Sequence, residues 1–313
     1  MKDFISIAAQ EGSFKKWKYI LPPLGFLGLM AINYLAIQLL QVDVGQVMQQ
    51  EVAKKGANRV VLESLIPFVV FLGLLFLWVK LVHKQTLKSL TTTRKKIDWK
   101  RILFSFFMIS VFTVVMTFID YKSNPENYLY NFNTEKFTIL FVIAIILVPI
   151  QTSFEEYFFR GYLMQGLGLT FKNRWLPFLV TSLMFGLMHL GNPEVGKLGP
   201  IIMVYYIGTG LFLGLITLMD EGMELALGFH AGNNLTGILL VTANWTAFQS
   251  DSILKDMAEP EAGLDILLPV IIIYPIFTFI MAKMYNWKNW KQKLFGRVYD
   301  SSSQEKITTI SES

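Results

Sequence analysis

The chain is punctuated by runs of about twenty residues with almost no charge, the length that the hydrocarbon core of a bilayer demands of a helix. Eight such runs lie near 19–41, 64–84, 102–120, 137–165, 175–192, 199–219, 223–243 and 266–285. In lipid no water satisfies the backbone, so a segment that crosses must bond its own amides, as a helix does. Composition agrees, because 53% of the 313 residues are hydrophobic and only 16% are charged, against ~25% charge in a soluble domain. The expectation is an all-α polytopic membrane bundle of about eight transmembrane helices. It forms a single domain over residues 1–298, followed by a polar tail at 299–313 that is expected to be disordered. The fourth run is longer than the others and contains Pro149, which predicts a kink or a tilt there.

Lys and Arg set the orientation. With the N-terminus inside, the cytoplasmic segments hold 19 of them and the outer loops hold 7. The positive-inside bias therefore puts both termini in the cytoplasm. The turn MDEGME between the sixth and seventh runs is acidic and does not contribute to this bias. Trp17, Trp175, Trp245, Trp287 and Trp290 fall near span ends, where interfacial anchors are expected. The N-terminal MKDFISIAAQEGSFKKWK has no short apolar core before a small-residue cleavage site, so the first run is read as a retained helix. The net charge of +5 follows from the same bias and calls for no nucleic-acid partner. The basic stretch TTTRKKIDWKR is read as a loop lying on anionic lipid.

Against this background, SFEEYFFRGYLMQG at 153–166 is costly. Each charge near a bilayer centre costs roughly 2.5–3.5 kcal/mol on insertion scales. Helical spacing relieves part of that cost, since Glu156 and Arg160 are i, i+4 and can neutralise one another. Glu155 is rotated about 100° from that face and is left for a different partner. Of three histidines, His83 ends the second run beside lysines and is read as interfacial. His189 lies late in the fifth run and His230 early in the seventh. Intramembrane ionisable residues are functional candidates by default. His230 and Asn234 share a face at i, i+4, as do Phe185 and His189, while Asn233 points elsewhere. Gly228 and Gly232 allow a close helix approach. By depth alone, Glu155 and His230 fall on the cytoplasmic side of the midplane and His189 on the outer side.

There is no cysteine, which excludes thiol nucleophiles, thiolate metal sites and disulfides. H-E-x-x-H and G-x-S-G are both absent, as is a G-x-G followed by Asp. What remains is carboxylate, imidazole and amide. A carboxylate with an imidazole can deprotonate a water, and a second imidazole with an amide NH2 can stabilise an oxyanion. That inventory suits hydrolysis of a peptide bond by an activated water. A divalent metal such as zinc is the rival reading, held by Glu155, His189 and His230, with Glu156 as a further candidate ligand. The spacing does not demand a metal, and a metal-free site is favoured.

E-E-x-x-x-R at 155–160, F-x-x-x-H at 185–189 and H-x-x-x-N at 230–234 together resemble the CAAX protease and bacteriocin-processing family of Abi-type intramembrane proteases. That family is related to the type II CAAX prenyl endopeptidase (Ras-converting enzyme). The motifs stand in family order, within a core of about 137–243. The resemblance implies an eight-helix membrane fold. It implies Glu155 and His189 as water activators and His230 with Asn234 as the oxyanion site. Glu156, Arg160 and Phe185 are then supporting residues. A peptide or protein substrate follows, prenylated or not, within a multi-pass protein of a bacterial cytoplasmic membrane and in contact with its lipids. Two other functions stay open. One is a non-catalytic immunity or scaffold protein on the same fold. The other is a proton-coupled transporter, for which neither internal repeats nor paired broken helices are found.

Overall fold

The structure, a computed structural model, describes residues 3–261 and 263–298. The tail expected to be disordered lies outside the described residues. Helices dominate: α1 Leu21–Leu39, α2 Val44–Lys55, α3 Ala57–Leu81, α4 Trp99–Ser123, α5 Thr134–Glu156, α6 Met164–Phe171, α7 Trp175–Leu187, α8 Pro193–Leu198, α9 Ile202–Asp220, α10 Glu224–Leu240, α11 Tyr274–Met284 and α12 Trp290–Phe295. Among the described residues five helical stretches are long and apolar enough to cross a membrane: Lys16–Leu39, Ala57–Leu81, Trp99–Ser123, Thr134–Phe171 and Pro193–Asp220. The other three expected spans fall on the shorter helices α7, α10 and α11. This is an all-α polytopic membrane bundle.

Several helices start where a short polar side chain can accept from their orphan amides. Asp43 accepts from Gln46 N ahead of α2, Asp98 from Lys100 N ahead of α4, and Asn133 from Lys136 N ahead of α5. Helix α5 runs unbroken through Pro149, and the Thr152 hydroxyl bonds the Val148 carbonyl there. The departure from α geometry comes about two turns later, where Tyr157–Leu163 forms a π-helix before α6 resumes. The irregularity expected at the proline therefore sits immediately after the two glutamates. The stretch 42–63 between the first two apolar runs contains α2 and the start of α3.

Helix α10 is the centre of the bundle, packed on α4, α5 and α9. It can sit there because small residues line it. A Cβ at Gly228 would meet the Ile102 carbonyl, and one at Gly232 would lie 2.6 Å from the Phe106 carbonyl. The close approach expected of these glycines is the α4–α10 contact. Around the site, Phe26, Phe154, Phe158, Phe159, Phe185, Phe212 and Phe229 form one buried aromatic core. Most of its ring pairs meet edge to face, as Phe26 and Phe154 do at 4.9 Å and 74°.

The four basic segments assigned to the cytoplasmic side all meet at one end of the bundle. The acidic turn between α9 and α10 ties them together. Asp220 accepts from Arg94 at 2.6 Å and from Arg101 at 3.0 Å, and Glu224 from Arg94 at 3.0 Å. Glu221 pairs with Arg174 at 3.0 Å and takes the Phe4 amide at 2.8 Å. The turn that contributes nothing to the charge bias is thus the counter-charge of the basic loops. Trp287 also docks here, buried, with its indole donating to Asp220 at 3.0 Å, so it is not a lipid-facing anchor. His83 is likewise not interfacial. It is 1% exposed, lies just beyond the end of α3, bonds the Tyr162 hydroxyl at 3.3 Å and packs on the Tyr19 ring.

At the opposite end a small sheet ties two connections together, the one between α4 and α5 and the one between α10 and α11. Its strands are β1 Tyr128–Tyr130, β2 Val241–Ala243 and β3 Leu254–Asp256 in the order β1-β3-β2, with β1 antiparallel and β2 parallel to β3. Asn131 donates to the Ser252 carbonyl at 3.1 Å alongside it.

Candidate active site

Glu155 and Glu156 close α5, buried at 2% and 0% exposure. Glu156 and Arg160 form the expected pair, 2.8 Å apart with both side chains fully buried. The guanidinium has two further contacts that hold it in place. It donates to the Gly210 carbonyl at 3.1 Å and lies 4.3 Å over the Phe185 ring. Glu156 does not stop at Arg160, because its Oε1 also takes His230 Nδ1 at 2.8 Å. On the other side of the same imidazole, His230 Nε2 lies 3.6 Å from Glu155 Oε2. The helical step of about 100° does separate the glutamates, but α10 inserts one histidine between them. The expectation that they face different partners is corrected: both face His230, at opposite ring nitrogens.

His189 follows the end of α7 rather than lying within it. The helix stops at Leu187, shorter than the expected 175–192, and a proline at 193 starts the next one. The His189 Nδ1 donates to the Phe185 carbonyl at 2.8 Å, which leaves Nε2 as the acceptor of the neutral ring. Its face stacks on Tyr206 at 4.3 Å and 13°. The Phe185 ring touches both imidazoles, at 5.1 Å to His189 and 5.7 Å to His230. The depth difference between the histidines is thereby bridged, and Phe185 is the spacer.

Glu155, His189, His230 and Asn234 all line one cavity of about 600 Å³. Its wall also includes Asn233, together with Gln151 and Tyr206, neither of which was singled out from sequence. Asn233 does not point away. It lines the cavity and donates to Asn234 Oδ1 at 3.1 Å. Gln151 is the i−4 neighbour of Glu155, a spacing visible in the sequence, and its amide donates to Glu155 Oε1. Tyr206 gives no such signal, because a tyrosine in an apolar helix reads as packing. The Glu155 Oε2 atom is buried and has no hydrogen-bond partner among the described residues. Nor do these residues contain any group of three or more His, Cys, Asp or Glu side chains placed to hold a metal ion. The Nδ1 of each cavity histidine is already engaged, His189 by a backbone carbonyl and His230 by Glu156.

A helical membrane bundle whose ionisable residues converge on one internal cavity belongs to the class of multi-pass proteins with a polar centre among their spans. The comparisons narrow that class. Residues 134–236, the segment that builds the site, match the family described as Type II CAAX prenyl endopeptidase Rce1-like. The resemblance drawn from the three motifs therefore holds, and what this family supports is a CAAX-type intramembrane protease. The chain is also 29% identical over 239 residues to the uncharacterized protein YyaK of Bacillus subtilis (strain 168), covering 74% of this chain and 80% of that relative. No solved structure matches the chain significantly.

Proposed function

We propose that the protein is an endopeptidase that hydrolyses a peptide bond inside the membrane with a water activated by Glu155 and His189. The observation that carries this reading is the meeting of Glu155, His189, His230 and Asn234, from three separate stretches of chain, on one cavity. Glu155 Oε2 has no hydrogen-bond partner among the described residues and is the acceptor for a water proton. His189 Nε2, bare in the tautomer fixed by the Phe185 carbonyl, is a second acceptor to orient that water. The water oxygen bonds to the scissile carbonyl carbon while its proton passes to Glu155. The carbonyl oxygen becomes the oxyanion and takes hydrogen bonds from His230 Nε2 and Asn234 Nδ2. His230 donates from Nε2 when the ring carries both protons, an imidazolium between two carboxylates. On collapse the C–N bond breaks and the Glu155 proton leaves with the amine. Glu156 and Arg160 hold His230 from behind.

The substrate class is a peptide or a protein C-terminus, with a prenylated cysteine as the first candidate. The site of action is a bacterial cytoplasmic membrane, and both termini face the cytoplasm. The test uses purified chain in lipid nanodiscs and quenched fluorescent peptides ending in a CAAX sequence, farnesylated and unmodified. Glu155→Gln is expected to lower kcat by roughly 10²–10⁴-fold, the scale of a lost general base. Cleavage by that variant at the wild-type rate would refute the role of Glu155. A wild-type protein that cleaves neither peptide would count against the endopeptidase reading.

A further inference from the structure

Gln151 lies one helical turn before Glu155 on α5 and is 5% exposed. Its side chain joins two residues to which the proposed reaction gives different tasks. The amide NH2 donates to Glu155 Oε1, and the amide oxygen accepts from Asn234 Nδ2 at 3.4 Å. Asn234 Oδ1 in turn accepts from Asn233 Nδ2 at 3.1 Å. Three amides thus run in series and end on a carboxylate.

The direction of this chain is fixed from its Glu155 end. An ionised carboxylate accepts and cannot donate, so Gln151 must present its NH2 to Glu155. Its carbonyl then faces Asn234, which must present its own NH2 in reply. Flipping either amide would set carbonyl against carboxylate or NH2 against NH2. The Asn234 Nδ2 atom carries two hydrogens. One is committed to Gln151, and the other is free for an oxyanion in the cavity. Gln151 also occupies Oε1 of Glu155, leaving Oε2 as the oxygen without a hydrogen-bond partner among the described residues, 3.6 Å from His230 Nε2.

We propose that Gln151 is a positioning residue that couples the base to the oxyanion donor. It selects which Glu155 oxygen meets the water and which way the Asn234 amide faces. This inference rests on the endopeptidase reading for its kinetic consequences, but the hydrogen-bond chain itself can be tested without it.

Two variants of the full chain in nanodiscs separate positioning from simple packing, read with the farnesylated CAAX peptide. Gln151→Met keeps the shape and removes both hydrogen bonds. It is expected to lower kcat roughly 10–100-fold, the scale of a misplaced reacting group, with KM within about twofold. Gln151→Glu keeps the shape and still accepts from Asn234, but donates to Glu155 only while the introduced carboxyl is protonated. Glu155, His189, Glu194, Tyr205, Tyr206 and His230 are the titratable groups that line the same cavity, and Glu156 and Arg160 stand behind His230. Two adjacent carboxyls share one proton over an intermediate pH range. Activity of Gln151→Glu is therefore expected at the acidic end of the profile, falling as pH rises while the wild type persists. A profile parallel to the wild type, or a Gln151→Met defect confined to KM, would overturn the proposal. A cryo-EM structure of Gln151→Met is expected to show the Glu155 carboxylate and the Asn234 amide displaced, and unchanged positions for both would overturn it as well. If the wild type cleaves no peptide, the endopeptidase reading fails, and the cryo-EM comparison still decides whether Gln151 positions the two groups.

Discussion

Replacing Arg160 by methionine would strand a carboxylate in the middle of the bundle. Both members of the Arg160–Glu156 pair are fully buried, 2.8 Å apart. The guanidinium also donates to the Gly210 carbonyl and lies over the Phe185 ring. In Arg160→Met, Glu156 would keep only His230 Nδ1 as a hydrogen-bonding partner. Breaking one half of a buried pair costs about 3–5 kcal/mol, because the remaining charge stays desolvated. That is a large share of the roughly 5–15 kcal/mol by which a folded chain is stable. Adding Glu156→Gln removes the stranded charge and keeps an acceptor for His230 Nδ1–H. Replacing both members of a buried pair is often nearly neutral, so the double variant is expected to recover about half of the loss. The assay is unfolding in mixed detergent micelles titrated with SDS, followed by tryptophan fluorescence. An Arg160→Met midpoint equal to wild type would refute the reasoning. So would a double variant less stable than the single one.

Other outcomes follow from the same geometry. Gly228→Ala drives a methyl into the Ile102 carbonyl and is expected to destabilise the fold by about 1–3 kcal/mol. Gly237→Ala, which meets nothing within 4 Å, is the neutral or stabilising control in the same SDS titration. Burial and the Lys18 ammonium hold the His83 pKa down at about 4, against about 6.5 in an unfolded chain. Below pH 6.5 the unfolded chain binds a proton that the folded one refuses. The contribution of His83 is therefore complete above pH 6.5 and is lost as pH falls toward 4. His83→Phe should flatten that part of a stability-against-pH curve, and an unchanged slope would remove His83 as its source. Exhaustive dialysis against a chelator is expected to leave peptide cleavage intact. Loss of activity with recovery on added zinc would instead make ligands of Glu155, His189 and His230.

How much of this was legible from residues alone depends on the range of the interaction. The Glu156–Arg160 pair is local, and i, i+4 spacing was enough to find it. The glycines of α10 were equally legible, because small residues in an apolar helix have few other uses. The placement of His230 between both glutamates was not, since it depends on how α10 inserts beside α5. Asn233 was assigned to another face by helical spacing, yet its amide reaches its neighbour and the cavity. Gln151 passed unnoticed because one amide in a membrane helix looks like ordinary interhelical glue until Asn234 stands opposite. His83 and Trp287 were placed by sequence at a lipid interface, where lysines and span ends suggested it. Tyr162 in one case and Asp220 in the other draw them inside. The three-residue strands are too short to leave a periodic trace.

The π-helix at Tyr157–Leu163 sets the rotational phase between the two halves of its span. Such a turn holds more residues than an α turn, so the face presented before it is not the face an α-helix would present after it. The half before it aims Glu155 and Glu156 at His230. The end of the π-helix itself aims Tyr162 at the Lys18 carbonyl, and the half after it aims Gln165 at the carbonyls of Phe4 and Ser89. Deleting one residue within YFFRGYL would remove the π turn and keep the phase, whereas if the segment closed as α-helix with all its residues, everything beyond would turn by about 100°. The reactive half could keep its geometry while the N-terminal segment lost its seat, so one inserted residue fixes two otherwise independent alignments.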